Sequence, residues 1–421
     1  MHIKIVTISY YPDRIGIAPI ADDLSRGLLE RGHQVTVIAG LPHYPSWEVP
    51  AEYRRHPFRR EIRHGGVSVW RSYLHASKRA TVLARSAFYG SFTASASFNL
   101  MRSGSADAVL IISPPPTVNF AAAAFRRLHG AAVVLNVQDI VPDAPIAFGM
   151  MSNPLQIKVF RWLESYAYSS SDRIVVVAQS FVSNLRAKGV PAEKLHVIHN
   201  WIDTDEVRPL DRMNPFRLEN GFGEDQFLVM YAGNIGLSQG LETVLEAAEA
   251  LQSQDNIVFV LVGGGANLSK LQEKAGAMRL TNVRFIPTQP EMKWVQAAAD
   301  VSLVMQQSNV LDVNLPSKIP AIMASGRPMV AGLNRAGDAA AIVCEADCGL
   351  IIEPGNGAQL ADAIRQLQDS RALRQRFADN GRHYAVAHFS RGTAHDAYEQ
   401  LLTEAIGSRG HAGYGRASSI T

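Results

Sequence analysis

Apolar residues follow two rhythms along this chain. Continuous runs of five or six, such as Leu228-Val229-Met230-Tyr231-Ala232, read as strands buried on both faces, and stretches with apolar residues three and four apart read as helices. In the first half the pattern predicts strands at residues 3–9, 34–39, 108–112, 132–137, 173–177 and 195–198. Helices are expected between them at 18–31, 82–101, 117–128 and 155–169. The second half repeats the alternation without repeating the sequence. Its strands are expected at 227–232, 257–262, 283–286, 301–305, 328–331 and 349–352, and its helices around 241–248, 266–278, 291–299, 319–324 and 358–368. Strictly alternating strands and helices build parallel sheets covered on both faces. The fold class is therefore α/β, as two Rossmann-like domains facing across a cleft. The expected domains are 1–205 and 206–392, with 209–223 as linker. A helix at 393–406 is long enough to cross back to the first domain, and the Gly/Ser/Arg-rich 407–421 reads as a disordered tail.

Composition narrows the function. A net charge of +3 over 421 residues gives no global support for nucleic-acid binding. Two cysteines, Cys344 and Cys348, are too few for a disulfide framework or a zinc site. The first βαβ unit lacks G-x-G-x-x-G, which disfavours NAD and FAD. No apolar run reaches the roughly 18 residues of a membrane span, and the opening run is a strand rather than a signal peptide. A cytoplasmic location with at most surface contact to a bilayer is expected. Residues 40–80 differ in kind. The turn-rich Pro42-His43-Tyr44-Pro45-Ser46-Trp47 precedes Arg54, Arg55, Arg59, Arg60, Arg63, Arg71, Lys78, Arg79 and Arg85, with Glu61 as the acid among them. The stretch is either a solvated basic face or a surface for anionic headgroups and a lipid pyrophosphate.

Three places suit chemistry. In Gly233-Asn234-Ile235-Gly236, glycines between a strand and a helix let the backbone approach a phosphate and aim N–H groups at it. Lys318, after Leu315-Pro316-Ser317 at a helix start, adds a point charge and a hydroxyl; Ser317 can equally be a plain cap. Asp139, after the strand at 132–137, can orient or deprotonate an acceptor hydroxyl or can cap a turn. Asp143 and His43 are rivals for that role, and His33 fits a turn-shaping role.

Several motifs together resemble the retaining glycosyltransferases of family 4, which have the GT-B fold. They are Tyr10-Tyr11-Pro12 with Gly16, the run from Arg31 to Val37, Gly233-Asn234-Ile235-Gly236, Pro316-Ser317-Lys318, and Met323-Ala324-Ser325-Gly326-Arg327-Pro328. The residues 42–47, 66–71, 137–139 and 200–203 are most similar to colanic-acid and O-antigen type fucosyl- and N-acetylfucosaminyltransferases. The resemblance implies transfer of a sugar from a nucleotide diphosphate sugar to a polyprenyl-diphosphate-linked saccharide, with retention and without metal or other cofactor, at the inner membrane surface. It makes Asp139 the acceptor-side catalytic residue. Gly16, Gly233, Asn234, Gly236, Ser317 and Lys318 would hold the donor diphosphate. Asp312, Asn314, Leu315 and Pro316 would meet the sugar, and Thr288 and Gln289 the base. His43, Trp47, Arg54, Arg55, Arg59 and Arg60 would form the acceptor and membrane face. One departure stands out: Val313 and Ala321 occupy the positions of the family's usual glutamate pair, and Gln239 lies near the place of its lysine. A sugar-nucleotide epimerase and a non-catalytic scaffold are the rival readings.

Overall fold

The computed structural model describes residues 1–14, 16–79, 81–143, 146, 151–308 and 316–414, except the side chains of 82 and 410–414. The chain divides into one unit of Met1–His199 with Ala394–Thr421 and a second of Asn200–Thr393.

The first unit carries an eight-stranded sheet among the described residues. Its strands are β1 (His2–Thr7), β2 (Gln34–Gly40), β3 (Arg60–Arg63), β4 (Val67–Ser72), β5 (Ala108–Ser113), β6 (Ala132–Val137), β7 (Arg173–Val176) and β8 (Leu195–Val197). They run in the order β3-β4-β2-β1-β5-β6-β7-β8, all pairs parallel except β3 with β4. The apolar runs lie here because every residue of β5 and β6 is buried, as a strand covered by helices on both faces requires. Val82–Arg102 and Val118–His129 supply part of that cover, with Phe92 and Phe125 at 0% exposure.

Residues 60–72 correct the sequence reading, which gave them no strand. Arg60–Arg63 and Val67–Ser72 form a hairpin whose turn holds His64 at φ 50 and Gly65 at φ 74. Arg71 is fully buried. It donates to Glu61 at 3.1 Å and to the carbonyls of Tyr11 and Gly40 at 2.5 and 3.3 Å, so it anchors three segments instead of facing solvent.

The final helix, Arg391–Tyr414, extends well past the expected 406. Arg409 explains part of this: its guanidinium pairs with Asp172 at 2.9 Å. Tyr398, 1% exposed, meets Asn136 at 2.5 Å, and His395 meets Asp23 at 3.0 Å. The part of the expected tail from 415 on lies outside the described residues.

The second unit has β9 (Phe227–Ala232), β10 (Ile257–Val262), β11 (Val283–Ile286), β12 (Val301–Met305), β13 (Met329–Gly332) and β14 (Gly349–Ile352), all parallel, in the order β11-β10-β9-β12-β13-β14. The expected linker at 209–223 is structured. Asn214 caps a helix at Pro215–Glu219, and the buried Arg217 reaches Asp300 at 2.5 Å. No described helix is long and apolar enough to cross a membrane.

In open parallel sheets ligands sit outside the carboxyl ends of the strands, where the order reverses. For the second sheet that point lies between β9 and β12.

Candidate functional site

The glycine turn Gly233–Gly236 leaves the carboxyl end of β9, and a second glycine run, Gly263 to Gly265, leaves the neighbouring β10. The two loops need glycine because they lie against each other. A Cβ on Gly263 would overlap the Gly233 carbonyl oxygen, and one on Gly265 the Ile235 carbonyl; φ is +140, +149 and +153 at Gly233, Gly263 and Gly265. Hydrogen bonds lock the pair. Gly233 donates to the Val262 carbonyl at 2.9 Å, Ile235 to Gly264 at 2.8 Å, and Gly263 to Ile286 at 2.9 Å.

This corrects one expectation. The N–H groups of Gly233 and Gly236 do not point at an open site, because Gly236 donates to Gln239 Oε1 at 3.0 Å. A 3-10 turn at Leu237–Gln239 intervenes before the helix Glu242–Ala250. The amide of the exposed Asn234 is the turn's unengaged donor among the described residues. The Gly263 run was visible in the sequence only as a strand ending. The common signal was a glycine one position past the end of each of two adjacent strands.

Lys318 begins the helix Lys318–Ala324, on the β12 side of the reversal point. Its Nζ lies 3.9 Å from the centroid of the Tyr231 ring, and a Cβ on Gly233 would stand 3.5 Å from the same nitrogen. The structure therefore brings Lys318 and Gly233 together. Tyr231 is wholly buried and donates to the Asn234 carbonyl at 2.7 Å, so one side chain supports both the turn and the amine. Among the described residues Nζ has no carboxylate partner, and burial alone acts on its charge. Burial drives its pKa from the usual 10.5 down to about 7. Ser317 is exposed at the N-cap position and its side chain makes no cap hydrogen bond, so plain capping does not account for it. Thr288 is exposed and Gln289 half-buried in the loop after β11, where Gln289 folds back on the Pro287 carbonyl at 2.9 Å. Pro316 is half-buried beside the helix start. Asp312, Val313, Asn314 and Leu315 lie outside the described residues.

In the first unit, Asp139 is exposed in the bend after β6. It borders a small void with Ser113, Pro116 and Val137. Its rival Asp143 is engaged: Lys188 lies 2.7 Å away and Asn184 2.9 Å, and although burial pushes the carboxyl up, these partners hold it below the usual range. Gly16 takes φ +70 with open space around it. His33 links to Glu399 at 2.8 Å in the last helix.

His43 is corrected from surface to interior. It is 4% exposed, packed edge-on against Phe88 with centroids 5.0 Å apart. Nδ1 bonds to the Leu41 carbonyl at 2.8 Å, and the buried Asp13 accepts the His43 backbone N–H at 3.2 Å. Burial lowers the imidazole pKa and raises that of Asp13. Asp13 was missed because its partner lies 30 residues away. Trp47, held at φ 56, packs on Phe88 and carries the guanidinium of Arg85 at 3.6 Å from its ring centroid. The sequence reading had Arg85 only as one member of the basic run, and it did not single out Tyr89, which lies beside it. The expected basic face is only partly free. Arg54 donates to the Val49 carbonyl at 2.7 Å, Arg59 pairs with Glu61 at 3.6 Å, and Arg60 stacks on Trp70 at 4.1 Å; Arg55 is exposed.

Comparison with known proteins fits this geometry. Residues 16–201 match the family described as glycosyl transferase 4-like domain, and residues 214–384 the one described as glycosyl transferases group 1. Over 336 residues the chain is 31% identical to WcaI of Escherichia coli (strain K12), named for glycosyl transfer in colanic acid biosynthesis, covering 77% of this chain and 82% of that protein. WbjE of Pseudomonas aeruginosa, named as a glycosyltransferase, is 25% identical over 62% of this chain and 66% of its own. Among solved structures, HepE of Anabaena in complex with UDP superposes with a TM-score of 0.70 at 17% identity, covering 95% of this chain and 100% of that one. WaaG, a glycosyltransferase involved in lipopolysaccharide biosynthesis, gives 0.66 at 17% identity, covering 94% and 99%. The chain belongs to the GT-B glycosyltransferases of family 4, in their colanic-acid and O-antigen group.

Proposed function

We propose that the protein moves a sugar from a nucleotide diphosphate sugar to a hydroxyl of a polyprenyl-diphosphate-linked saccharide, with retention, at the inner face of the membrane. The observation that carries this reading is Lys318. It is an amine with no carboxylate partner among the described residues, partly desolvated over an aromatic ring and set beside a glycine turn where the strand order reverses. A donor diphosphate is the counter-ion that fits such an amine.

In the step, the bond from the sugar's anomeric carbon to the diphosphate oxygen breaks. A bond from the same carbon to the acceptor oxygen forms on the same face. The acceptor's proton leaves to the departing diphosphate, and Lys318 with the Asn234 amide stabilises the charge that develops there. Asp139 orients the acceptor hydroxyl as a hydrogen-bond acceptor. No step is assigned to a metal. The UDP in the HepE structure and the polysaccharide setting of WcaI's name support a nucleotide donor and a glycan product. A fucose-type sugar is the proposed cargo, following the closer resemblance.

A panel of nucleotide sugars incubated with prenyl-diphosphate saccharides, read by mass spectrometry, tests the reading. A mass gain of one sugar on the lipid acceptor is expected, with the donor's anomeric configuration kept by NMR. Conversion of a nucleotide sugar without acceptor would point to an epimerase instead.

A further inference from the structure

The second unit holds a cavity of about 680 Å³ at the opposite end of its sheet from Lys318. Asp300 and Pro328, which line it, immediately precede β12 and β13, whereas Gly233 and Lys318 follow the carboxyl ends of strands. Arg212, Arg327, Arg371, Arg374 and Arg382 surround it, against the carboxylates of Asp300 and Asp379.

The acids do not balance the cations. Asp300 is saturated: it accepts from Arg212 at 2.8 Å, from Arg217 at 2.5 Å and from the Leu228 amide at 2.8 Å. Backbone carbonyls hold the other arginines. Arg327 donates to Leu210 and Ala297 at 2.7 and 2.6 Å, Arg374 to Gln368 at 2.8 Å, and Arg382 to Thr204, Val207 and Ala324 at 3.0 to 3.1 Å. A carbonyl orients a guanidinium without cancelling its charge. Arg371, exposed at the rim, makes no hydrogen bond or ion pair among the described residues. Burial lowers the pKa of Arg327 and Arg374; Asp300 works against this, and the neighbouring guanidinium charges add to it. Like charges fixed around an open space repel one another, and a bound anion would remove that cost.

We infer that this cavity binds a compact oligophosphate anion, a diphosphate or larger, at a second site separate from Lys318. Planar guanidinium forks match phosphate oxygens in pairs, and anchored forks lose little freedom on binding. The volume falls within the range of roughly 300–1,000 Å³ common for small-molecule sites, well beyond what one orthophosphate fills. The site also adjoins the donor machinery. Arg382 holds the carbonyl of Ala324, the end of the helix that Lys318 begins, about 10 Å along its axis.

The test is a calorimetric titration of sodium tripolyphosphate into the full chain at physiological ionic strength, with Lys318→Met as background so that the donor site is out of play. One binding event should remain in that background. Adding Arg371→Gln, which breaks no observed contact, should weaken it about tenfold, and Arg371→Lys should restore most of it. UDP titrated into Arg371→Gln alone should bind as in wild type. The inference is overturned by an absence of binding in the Lys318→Met background or by equal affinity in the Arg371→Gln variant. It is also overturned if orthophosphate competes as well as tripolyphosphate. None of these readouts depends on transferase activity, so failure of the proposed reaction would register separately.

Discussion

Replacing Lys318 with Met should make the empty protein more stable while depriving it of its donor. The side chain becomes one atom shorter, keeps an unbranched apolar stem beside Tyr231 and loses the charge. Lys318 ionises at about 7 here against 10.5 for an ordinary lysine. Between those values the unfolded chain holds a proton that the folded chain has released, so stability rises with pH across that window. Below pH 7 the whole penalty is present. At about 1.4 kcal/mol per unit, its ceiling is ~5 kcal/mol. The side chain retains some solvent contact, so about 2 kcal/mol is the working figure. For a unit of this size that is a rise of ~4–8 °C in melting temperature at pH 6.

Donor binding should move the other way. Loss of a charge-assisted contact in a partly desolvated site costs about 2–4 kcal/mol, or ~30- to 1,000-fold in UDP affinity. Wild-type affinity should fall as pH rises above 7, because the free amine must take up a proton to meet the diphosphate. Melting curves at pH 6 and 10 with calorimetry of UDP read both effects. The stability gain should be largest at pH 6 and should shrink towards pH 10. A variant that melts no higher than wild type at pH 6 and binds UDP equally well would refute the reasoning.

Three further outcomes follow from the same geometry. Gly263→Ala should lower both the melting temperature and UDP affinity, because the new methyl meets the Gly233 carbonyl and φ is +149; unchanged UDP binding by calorimetry would detach that loop from the donor site. Asp139→Asn should cut transfer at least ~100-fold while UDP affinity and the circular dichroism spectrum stay unchanged, and near-normal turnover would remove Asp139 from the acceptor site. Changing Arg54, Arg55, Arg59 and Arg60 together to Gln should weaken sedimentation with vesicles rich in phosphatidylglycerol, with Arg55 contributing most because the other three already have partners. Equal sedimentation would leave that face without a lipid role.

The parts of this molecule that the sequence reveals are those where one local signal decides the structure. A run such as Val133 to Val137 has one stable home, a strand buried on both faces, so the core strands of both sheets were legible. Lys318 and the Gly233 turn were legible for a similar reason: glycine past a strand end and a cation at a helix start each carry a local meaning. The misses share a different cause. The hairpin at Arg60–Arg63 and Val67–Ser72 was hidden because its arginines read as a basic surface, either solvated or facing anionic headgroups. Only the fold brings Arg71 within reach of Glu61, Tyr11 and Gly40 and so makes it a core residue. His43 looked exposed until Asp13, from the loop after another strand, supplied the acceptor that lets its backbone bury. The same logic separates the two aspartates after β6. Both sit in one short loop of sequence, but Lys188 claims Asp143 from 45 positions downstream in the chain, a pairing that no local signal announces. Charge in this protein takes its role from partners far away along the chain. Sequence can therefore nominate a charged residue, but its role follows from the groups that the fold places around it.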